Sequence, residues 1–381
     1  MRHVLPPQRD LFDIPDGLAY LNCSFMSPQL ESVRSAARRA IDVQSHPWEV
    51  GVDDFFAPSE RLRELFAGLL GADAAGVALI PSVSYGVGIA AANLPVPEGR
   101  RVVVLAEQFP SNVYPWREAV RGTGGELVTV PAPETGDWTL PTIERIDERT
   151  AIVAVPQVHW TDGRKLDLEV VGRAAREAGA ALVVDATQSL GACRFDVGAI
   201  RPDFVIAAGY KWLLGPYSFG YLWAAPEWRL GVPLEFNWIT RKDAEDFAGL
   251  VDYRDVYQDG ARRFDVGERS NFTLTPMAIA ALEQLLAWTP EAVAASVEPH
   301  TRRIEEATRA MGLDPVPAGD RESHLIGVRL PGGTPGGLAE ALAAADVHVS
   351  IRGNSVRISP HVYNTDGDVD RLLDVLTATV R

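Results

Sequence analysis

An acidic residue and a lysine each stand at the end of a short apolar run in the middle of the chain. Asp185 closes the run ALVVD at 181–185, and Lys211 closes the run FVIAAGYK at 204–211. Short runs rich in β-branched residues are typical of buried strands in a parallel sheet. Because ligands of open α/β sheets bind at the carboxyl ends of strands, the sequence predicts that a carboxylate and an amine face one ligand.

Pyridoxal phosphate is a ligand that needs both groups. Its aldehyde forms a Schiff base with a lysine amine, and its ring nitrogen stays protonated beside an anion, which makes the ring an electron sink for a carbanion. Taken singly, an aspartate after a strand is typically a turn residue and a lysine is typically solvated. The pair Asp185 and Lys211, with Gln188 and Tyr210 next to them, favours a pyridoxal-phosphate site.

The segments VVDATQSLG at 183–191 and AGYKWLLGPYSFGYLW at 208–223 resemble the aminotransferase class V branch of fold type I pyridoxal-phosphate enzymes. This branch includes cysteine desulfurases, kynureninase and isopenicillin N epimerase. The likeness extends from about Tyr20 to the C-terminus, and the Asp-x-x-Gln and Tyr-Lys pairs are specific for the branch rather than for one reaction. The resemblance implies an α/β fold with a large, mostly parallel sheet domain and a small C-terminal α/β domain.

The alternation of strands and helices supports the same architecture without the resemblance. From residue 76 to residue 211 the chain repeats a β-α-β pattern, which a mostly parallel, doubly wound sheet requires. We predict an N-terminal arm at 1–30 that packs with the small domain, a large cofactor-binding domain at 31–274, and a small domain at 275–381.

The overall charge and composition exclude several classes of binding partner. The chain has 381 residues, a formal net charge of −15 and a pI near 5.0. Nucleic acids and anionic membranes attract basic patches, so neither is expected as a partner. No apolar run approaches the length of a membrane span, the N-terminus has no signal core, and Cys23 and Cys193 make no metal-ligand spacing. We expect a cytoplasmic enzyme without a metal.

The resemblance assigns the phosphate of the cofactor to the turn in GVALIPSVSYGVGIAAANL at 76–94. A strand, a polar turn and a helix start together present backbone N–H groups and a positive helix end to an anion. Backbone amides of Val83 and Ser84 and the Ser84 hydroxyl are the expected ligands, with Tyr210 as a further one. The alternative for Ser84 is an ordinary N-cap.

Two further phosphate contacts are implied to come from a second subunit. In the resembling family, the segment after Lys211 reaches the active site of the neighbouring subunit. Asn271, in SNF at 270–272, and Trp238 are the candidates in this chain. If they act in this way, the protein is a homodimer with shared active sites.

The resemblance also assigns the groups around the cofactor ring. Phe109, which precedes a proline as in kynureninase, is expected to stack on the ring, and Gln188 to hydrogen-bond the phenolic oxygen. The alternative for Phe109 is a core aromatic residue.

Substrate contacts are implied at three positions. A carboxylate is bound well by the planar fork of an arginine, and Arg357, before Tyr363, matches the arginine of the family. Arg352 is a less favoured substitute for it. Trp160 is expected to contact the cofactor or the substrate, and Ser24 lies in a segment that passes near the substrate carboxylate.

The predicted activity is chemistry at the Cα of an α-amino acid. Lys211 first holds the cofactor and then acts as a general base, because burial keeps its pKa low enough for that role. The residues leave the outcome open among aminotransferase, kynureninase-like or C–S lyase, and amino-acid epimerase. No cysteine follows Cys193, which disfavours desulfuration through a persulfide. The alternative to an enzyme is a homologue that binds the cofactor without turning over a substrate.

Overall fold

The computed structural model describes residues 3–380. Within this range the α-helices are α1 (Glu31–Gln44), α2 (Val52–Leu70), α3 (Val83–Asn93), α4 (Tyr114–Thr123), α5 (Thr139–Ile143), α6 (Leu168–Glu177), α7 (Val197–Ile200), α8 (Leu274–Trp288), α9 (Pro290–Ala310), α10 (Leu338–Ala344) and α11 (Asp366–Thr379). The strands are β1 (Ala19–Tyr20), β2 (Val77–Ile80), β3 (Arg101–Leu105), β4 (Glu126–Val130), β5 (Thr150–Pro156), β6 (Ala181–Asp185), β7 (Phe204–Ala208), β8 (Gly220–Ala224), β9 (Asp314–Pro315), β10 (Ile326–Arg329), β11 (Val347–His348), β12 (Ser350–Arg352) and β13 (Ser355–Ile358).

The larger sheet has the strand order β2-β8-β7-β6-β5-β3-β4 in the described residues. Strands β7, β6, β5, β3 and β4 pair in parallel, whereas β8 runs antiparallel to both of its neighbours. The predicted mostly parallel sheet is therefore confirmed, with one reversed strand. Asp185, the last residue of β6, pairs with Ile206 of β7, so both strands end at the same edge of the sheet.

The strands of this sheet are buried on both faces, as their continuous apolar runs predict. Val184 and Val205 belong to a core shared with α2, α6 and α8, while Val183 and Ile206 belong to a second core shared with α3 and α4. Neighbouring residues along a strand therefore contribute to opposite cores. This two-layered covering is what a doubly wound α/β domain requires.

The smaller sheet is antiparallel, with the order β12-β13-β10-β9. Helices α9, α10 and α11 pack with it around a separate core that contains Ile326, Val356 and Leu372. The N-terminal arm joins this core: β1 pairs in parallel with β11, and Ala19 and Leu21 are fully buried there.

The predicted boundary at residue 275 falls in the first turn of α8. The buried side chains of α8, such as Ala281 and Leu285, belong to the core of the large sheet, and α8 lies against α1 and α2. The precise boundary stays a prediction. Across residues 3–380, no helix is both long enough and apolar enough to span a membrane.

Candidate active site

A cavity of about 400 Å³ opens at the carboxyl ends of β2, β3, β5, β6 and β7. This edge is where ligands of doubly wound sheets bind. Its lining brings together most of the predicted site residues. The lining residues are Pro81, Ser82, Val83, Ser84, Gln108, Phe109, Ser111, Pro156, Val158, Trp160, Asp185, Thr187, Gln188, Ala208, Tyr210, Lys211, Tyr217, Ser218 and Phe219.

Lys211 lies on a closed loop between β7 and β8. The N–H of Gly209 donates to the Phe219 carbonyl over 2.8 Å, and the N–H of Gly215 donates to the Gly209 carbonyl over 2.8 Å. A Cβ at position 209 would lie 2.8 Å from the Phe219 carbonyl oxygen, so only glycine allows this closure. Ser218, which lines the cavity, has a φ of 62°, a conformation that non-glycine residues adopt at a cost.

The amine of Lys211 is buried between two aromatic rings. Its Nζ lies 5.4 Å from the centre of the Phe109 ring and 5.8 Å from that of Tyr210. Burial, followed by the positive charge of Arg357, lowers the pKa of Lys211 to about 8, against the opposing effect of Asp185. Lys211 can therefore supply an unprotonated amine near neutral pH.

Asp185 presents a buried carboxylate to the same cavity. Its Oδ1 accepts a hydrogen bond from the N–H of Thr187 over 3.0 Å, and Thr187 Oγ1 accepts one from the N–H of Ala208 over 3.1 Å. Burial raises the pKa of Asp185, while the hydrogen bonds from Thr187 and the charge of Lys211 lower it. A cation bound next to Asp185 would offset the cost of burying this carboxylate.

Helix α3 begins at the lining of the same cavity. Ser82 is its N-cap and accepts a hydrogen bond from the N–H of Tyr85 over 3.2 Å, and its Oγ lies 3.0 Å from Ser84 Oγ. The first two helical residues, Val83 and Ser84, have N–H groups that an α-helix leaves without an internal acceptor. These groups and the positive helix end suit a phosphate. The capping serine is thus Ser82, and Ser84 lies in the first turn of α3 at the cavity lining. Its role as an anion ligand stays a prediction.

The aromatic residues Phe109 and Trp160 form one wall of the cavity. Their ring centres lie 5.5 Å apart with an interplanar angle of 84°, and Trp160 Nε1 donates to the Glu107 carbonyl over 2.7 Å. Gln108 fixes this turn, since its Nε2 donates to the Asn112 and Ala154 carbonyls over 2.7 and 3.0 Å.

Arg357 lies behind Trp160 and is buried. Its Nη1 donates to the Trp160 carbonyl over 2.8 Å and its Nη2 to Ser350 Oγ over 3.3 Å, while its Nε is buried without a partner in the described chain. Burial, followed by the charge of Arg352, lowers the pKa of Arg357 to about 10. A buried guanidinium with an unused N–H and no carboxylate partner among residues 3–380 suits an anionic ligand.

Gln188 and Ser24 are linked to each other. Gln188 Nε2 donates to the Ser24 carbonyl over 3.1 Å, and its Oε1 accepts from Trp212 Nε1 over 2.8 Å. The Ser24 hydroxyl lies 2.8 Å from the Ser359 hydroxyl and does not belong to the cavity lining. Gln188 keeps one amide hydrogen for a ligand, whereas Ser24 supports the site through Gln188.

Trp238 and Asn271 lie away from the cavity of their own chain. Trp238 packs edge-on against Phe55 and Phe247, and Asn271 Oδ1 accepts hydrogen bonds from the N–H groups of Thr273 and Leu274 at the start of α8. Their predicted contacts with the cofactor of a second subunit stay a prediction.

Cys23 and His159 are both buried. The Sγ of Cys23 lies 4.0 Å from the Lys211 carbonyl oxygen, and burial raises the pKa of its thiol. His159 contacts Thr161 Oγ1 at 2.7 Å and the Ala106 carbonyl at 3.1 Å, and burial lowers its pKa. Neither side chain lines the cavity.

Sequence reasoning missed several polar residues of the lining. Thr187 stands between Asp185 and Gln188 in the same motif, so the motif itself indicates that Thr187 lies near the carboxylate. Gln108, Ser111 and Ser218 are ordinary loop residues, and the sequence around them carries no comparable signal.

The family model for Aminotransferase class-V matches residues 52–372. The chain belongs to the aminotransferase class V family. The match includes Asp185, Lys211 and Arg357, and it covers every element that borders the cavity. This class V protein is therefore a pyridoxal-phosphate-dependent enzyme by family.

Known relatives of this class V protein differ in the activities their names state. The uncharacterized aminotransferase YcbU of Bacillus subtilis is 26% identical over 99% of both chains. Isopenicillin N epimerase of Streptomyces clavuligerus is 27% identical over 91% of both chains. A probable cysteine desulfurase of Methanothermobacter thermautotrophicus is 33% identical over 44% of this chain, and the match spans 42% of that relative.

Among solved structures, a lysine mutant of C-DES with glycine covalently linked to the pyridoxal-phosphate cofactor is similar in fold. It superposes with a TM-score of 0.86 at 16% identity, covering 98% of this chain and 100% of that one. The fold type I architecture predicted from the resemblance is confirmed.

Proposed function

We propose that this class V protein acts at the Cα of an α-amino acid, with Lys211 as the residue that binds pyridoxal phosphate and moves the Cα proton. The observation that carries the proposal is the shared cavity, in which the buried amine of Lys211, the buried carboxylate of Asp185 and the start of α3 face one another.

The residues of the cavity fit the cofactor part by part. Lys211 would hold it through Nζ, Asp185 would pair with its ring nitrogen, and Phe109 would cover the ring. Val83 and Ser84 would bind its phosphate through their N–H groups, and Tyr210 lies on the same lining. Bound there, pyridoxal phosphate supplies an electron sink for negative charge at Cα.

Lys211 is suited to move a proton between itself and a substrate carbon. With a pKa of about 8, its amine is partly unprotonated at pH 7 to 8 and is still basic enough to accept a proton. The loop closed by Gly209 and Phe219 fixes the backbone on both sides of Lys211, which limits the positions that its side chain can take.

Arg357 is suited to fix the substrate by its α-carboxylate. Its buried Nε has no partner in the described residues, and its two other nitrogens are held by Trp160 and Ser350. A substrate carboxylate that pairs with it would be oriented with its Cα toward Lys211, whose pKa the charge of Arg357 already lowers.

The reaction that follows is an aminotransferase, lyase or epimerase step, since these three share the residues above. If the step is a lyase reaction, it is either kynureninase-like cleavage or cleavage of a C–S bond. Desulfuration through an enzyme persulfide is disfavoured, because Cys23 and Cys193 are both buried with raised thiol pKa values.

A homodimer with shared sites is part of the proposal. Trp238 is 39% exposed within a cluster of aromatic residues, and Asn271 is exposed; both lie outside the cavity of their own chain.

The cysteines favour a compartment for the enzyme. Both are free, which suits a reducing compartment such as the cytoplasm.

The test is a trapping experiment followed by a substrate screen. Borohydride reduction of the cofactor-loaded protein is expected to label Lys211 and neither of the two other lysines, Lys165 and Lys242. Absence of a label, or a label elsewhere, contradicts the assignment. The Lys211→Ala variant serves as the control for unspecific attachment.

The screen then separates the reactions by their products. Formation of a keto acid with the amine form of the cofactor indicates an aminotransferase, release of pyruvate or alanine indicates a lyase, and solvent deuterium at Cα alone indicates an epimerase. A cofactor spectrum that no amino acid changes would instead indicate a cofactor-binding homologue without turnover.

A further inference from the structure

A second arginine lies beside the one assigned to the α-carboxylate. The guanidinium carbon of Arg352 lies 5.8 Å from the centre of the Trp160 ring, and that of Arg357 lies 5.7 Å from the same ring. Trp160 lines the cavity that holds Lys211. Two cations therefore contact one aromatic residue at the wall of the active site.

The strand pairing explains why both arginines lie together. β12 and β13 form a hairpin in which Ser350 pairs with Arg357 and Arg352 pairs with Ser355. Paired residues of an antiparallel ladder, and residues two apart along a strand, share one face of the sheet. Arg352 and Arg357 are consequently on the same face of the hairpin.

Neither arginine is neutralised within residues 3–380. Arg352 donates one hydrogen bond, to the Ile351 carbonyl over 2.9 Å, and forms no ion pair with a described residue. Arg352 lines a neighbouring cavity that shares Gln108 and Trp160 with the cavity of Lys211. Two other arginines of that neighbouring cavity are paired: Arg329 with Asp314, and Arg164 with Asp162. In a chain of net charge −15, the two arginines form an uncompensated pair of cations against Trp160. Such a pair suits an anionic ligand.

One α-amino acid supplies only one carboxylate for these two cations. We propose that Arg352 binds a second anionic group on the substrate side chain, so that the enzyme selects dicarboxylic amino acids of the aspartate and glutamate type. This inference rests on the proposed function, because it assumes that Arg357 holds the α-carboxylate.

Electrostatics within the cavity agree with this assignment. The charges of both Arg357 and Arg352 lower the pKa of Lys211, and the charge of Arg352 lowers that of Arg357. Two substrate anions would remove this mutual repulsion. A substrate with a neutral side chain would leave the charge of Arg352 uncompensated next to Arg357.

The first test measures binding without turnover. Succinate and glutarate are titrated into the cofactor-loaded enzyme by calorimetry, next to butyrate and valerate, which lack the second carboxylate. We expect the dicarboxylates to bind about 10- to 100-fold more tightly, the range for a hydrogen bond to a charged group. Equal binding of the two classes to the unmodified enzyme overturns the inference.

Variants then assign the preference to one residue. Arg352→Gln is expected to remove the preference while leaving butyrate binding within about twofold, and Arg352→Lys to restore part of it. Arg329→Gln is the matched control, because Arg329 lies on the same sheet face but is paired with Asp314. A loss of both ligand classes in Arg352→Gln, with an unchanged melting temperature, overturns the inference.

Turnover separates this inference from the proposed function. The kcat/KM of Arg352→Gln is expected to fall about 10- to 100-fold for aspartate and glutamate and to stay within about threefold for asparagine and glutamine. If no amino acid of the substrate screen changes the cofactor spectrum, the proposed function fails. If other amino acids change it but aspartate and glutamate do not, only the assignment of Arg352 fails. If neutral amino acids react as well as acidic ones in the unmodified enzyme, only the assignment of Arg352 fails.

Discussion

At the scale of single residues, Lys211 shows how burial prepares an amine for chemistry. The exposed fraction of the residue is 6%, and the loss of hydration acts against the ammonium form. The nearby carboxylate of Asp185 opposes this effect without cancelling it. The result is a lysine that holds its proton weakly in the range of pH where the enzyme would work.

The pKa of Lys211 can be measured on the cofactor-free protein. Labelling by a small acylating reagent is expected to rise from pH 6 and to reach half of its maximum near pH 8, because the ammonium form is unreactive. In denaturant the midpoint for the same residue should return to about 10.5. A native midpoint above pH 10 would contradict the effect of burial.

The same shift affects stability with a defined sign. Since the folded-state pKa of Lys211 lies below its ordinary value, the unfolded chain binds more protons between pH 8 and pH 10.5. The contribution of this group to the free energy of unfolding therefore rises with pH across that window. Denaturant titrations of the unmodified protein and of Lys211→Met at pH 7.5 and pH 10 measure the difference.

Cys23 is a second residue whose role can be tested. The thiol is fully buried and its pKa is raised, so Cys23→Ala should leave kcat within about twofold, with a stability cost of about 1 kcal/mol for the lost volume. Cys193→Ala is the control, because Cys193 is also buried but its Sγ lies against the Ser189 carbonyl rather than the Lys211 carbonyl. A tenfold loss of kcat in Cys23→Ala alone would assign the thiol a chemical role.

At the scale of elements, the site depends on how closely α3 approaches the sheet. A Cβ at Gly86 would lie 2.7 Å from Ile80 Cδ1 and 2.8 Å from Ile206 Cγ2. Gly86 therefore allows the first turn of α3 to lie close to Ile80 at the end of β2 and to Ile206 within β7. The phosphate contacts predicted at Val83 and Ser84 require this approach.

Gly86→Ala is expected to displace the start of α3. Overpacking of this kind costs about 1–3 kcal/mol, and we expect cofactor affinity to fall about tenfold, measured by fluorescence titration. Gly88→Ala in the same helix is the matched control, because its Cβ would meet only the end of the Leu234 side chain, at 3.2 Å. Equal effects of the two substitutions would show that helix propensity, rather than the approach, is what matters.

The strands show which positions of the site residues can be predicted from the sequence. The apolar runs at β6 and β7 predict buried parallel strands, and their ends predict that Asp185 and Lys211 lie together, as they do. The sequence favours Arg357 over Arg352 and does not indicate that the two lie together, because that depends on the register of the β12–β13 hairpin. Register is set by pairing across strands, which a pattern along one strand does not specify.

At the scale of the whole molecule, the predicted sharing of sites between subunits makes complementation possible. Lys211→Ala removes the amine from one site. Asn271→Asp keeps an acceptor for the N–H groups of Thr273 and Leu274 at the start of α8, but it places a negative charge where a phosphate of the other subunit would bind.

Each variant alone should be inactive, and a mixture of the two should regain activity after subunit exchange. Random reassortment gives mixed dimers in which one of the two sites is intact, so about a quarter of normal activity is expected at equal concentrations. A mixture that stays inactive, although mixed dimers form by native mass spectrometry, would place Asn271 in the site of its own chain or outside it.

The pairing of β1 with β11 has a consequence for the order in which the protein can be completed during translation. Ala19 pairs with Val347 and Tyr20 with His348, so the residues of β1 have to wait for partners that are translated much later. The core of the small domain closes over Leu21, and the arm continues to the loop of Lys211, where the N–H of Ser27 donates to the Tyr210 carbonyl. Because the arm is held by β11, its contact with the Lys211 loop is expected to form only once residues 347 and 348 are available for pairing.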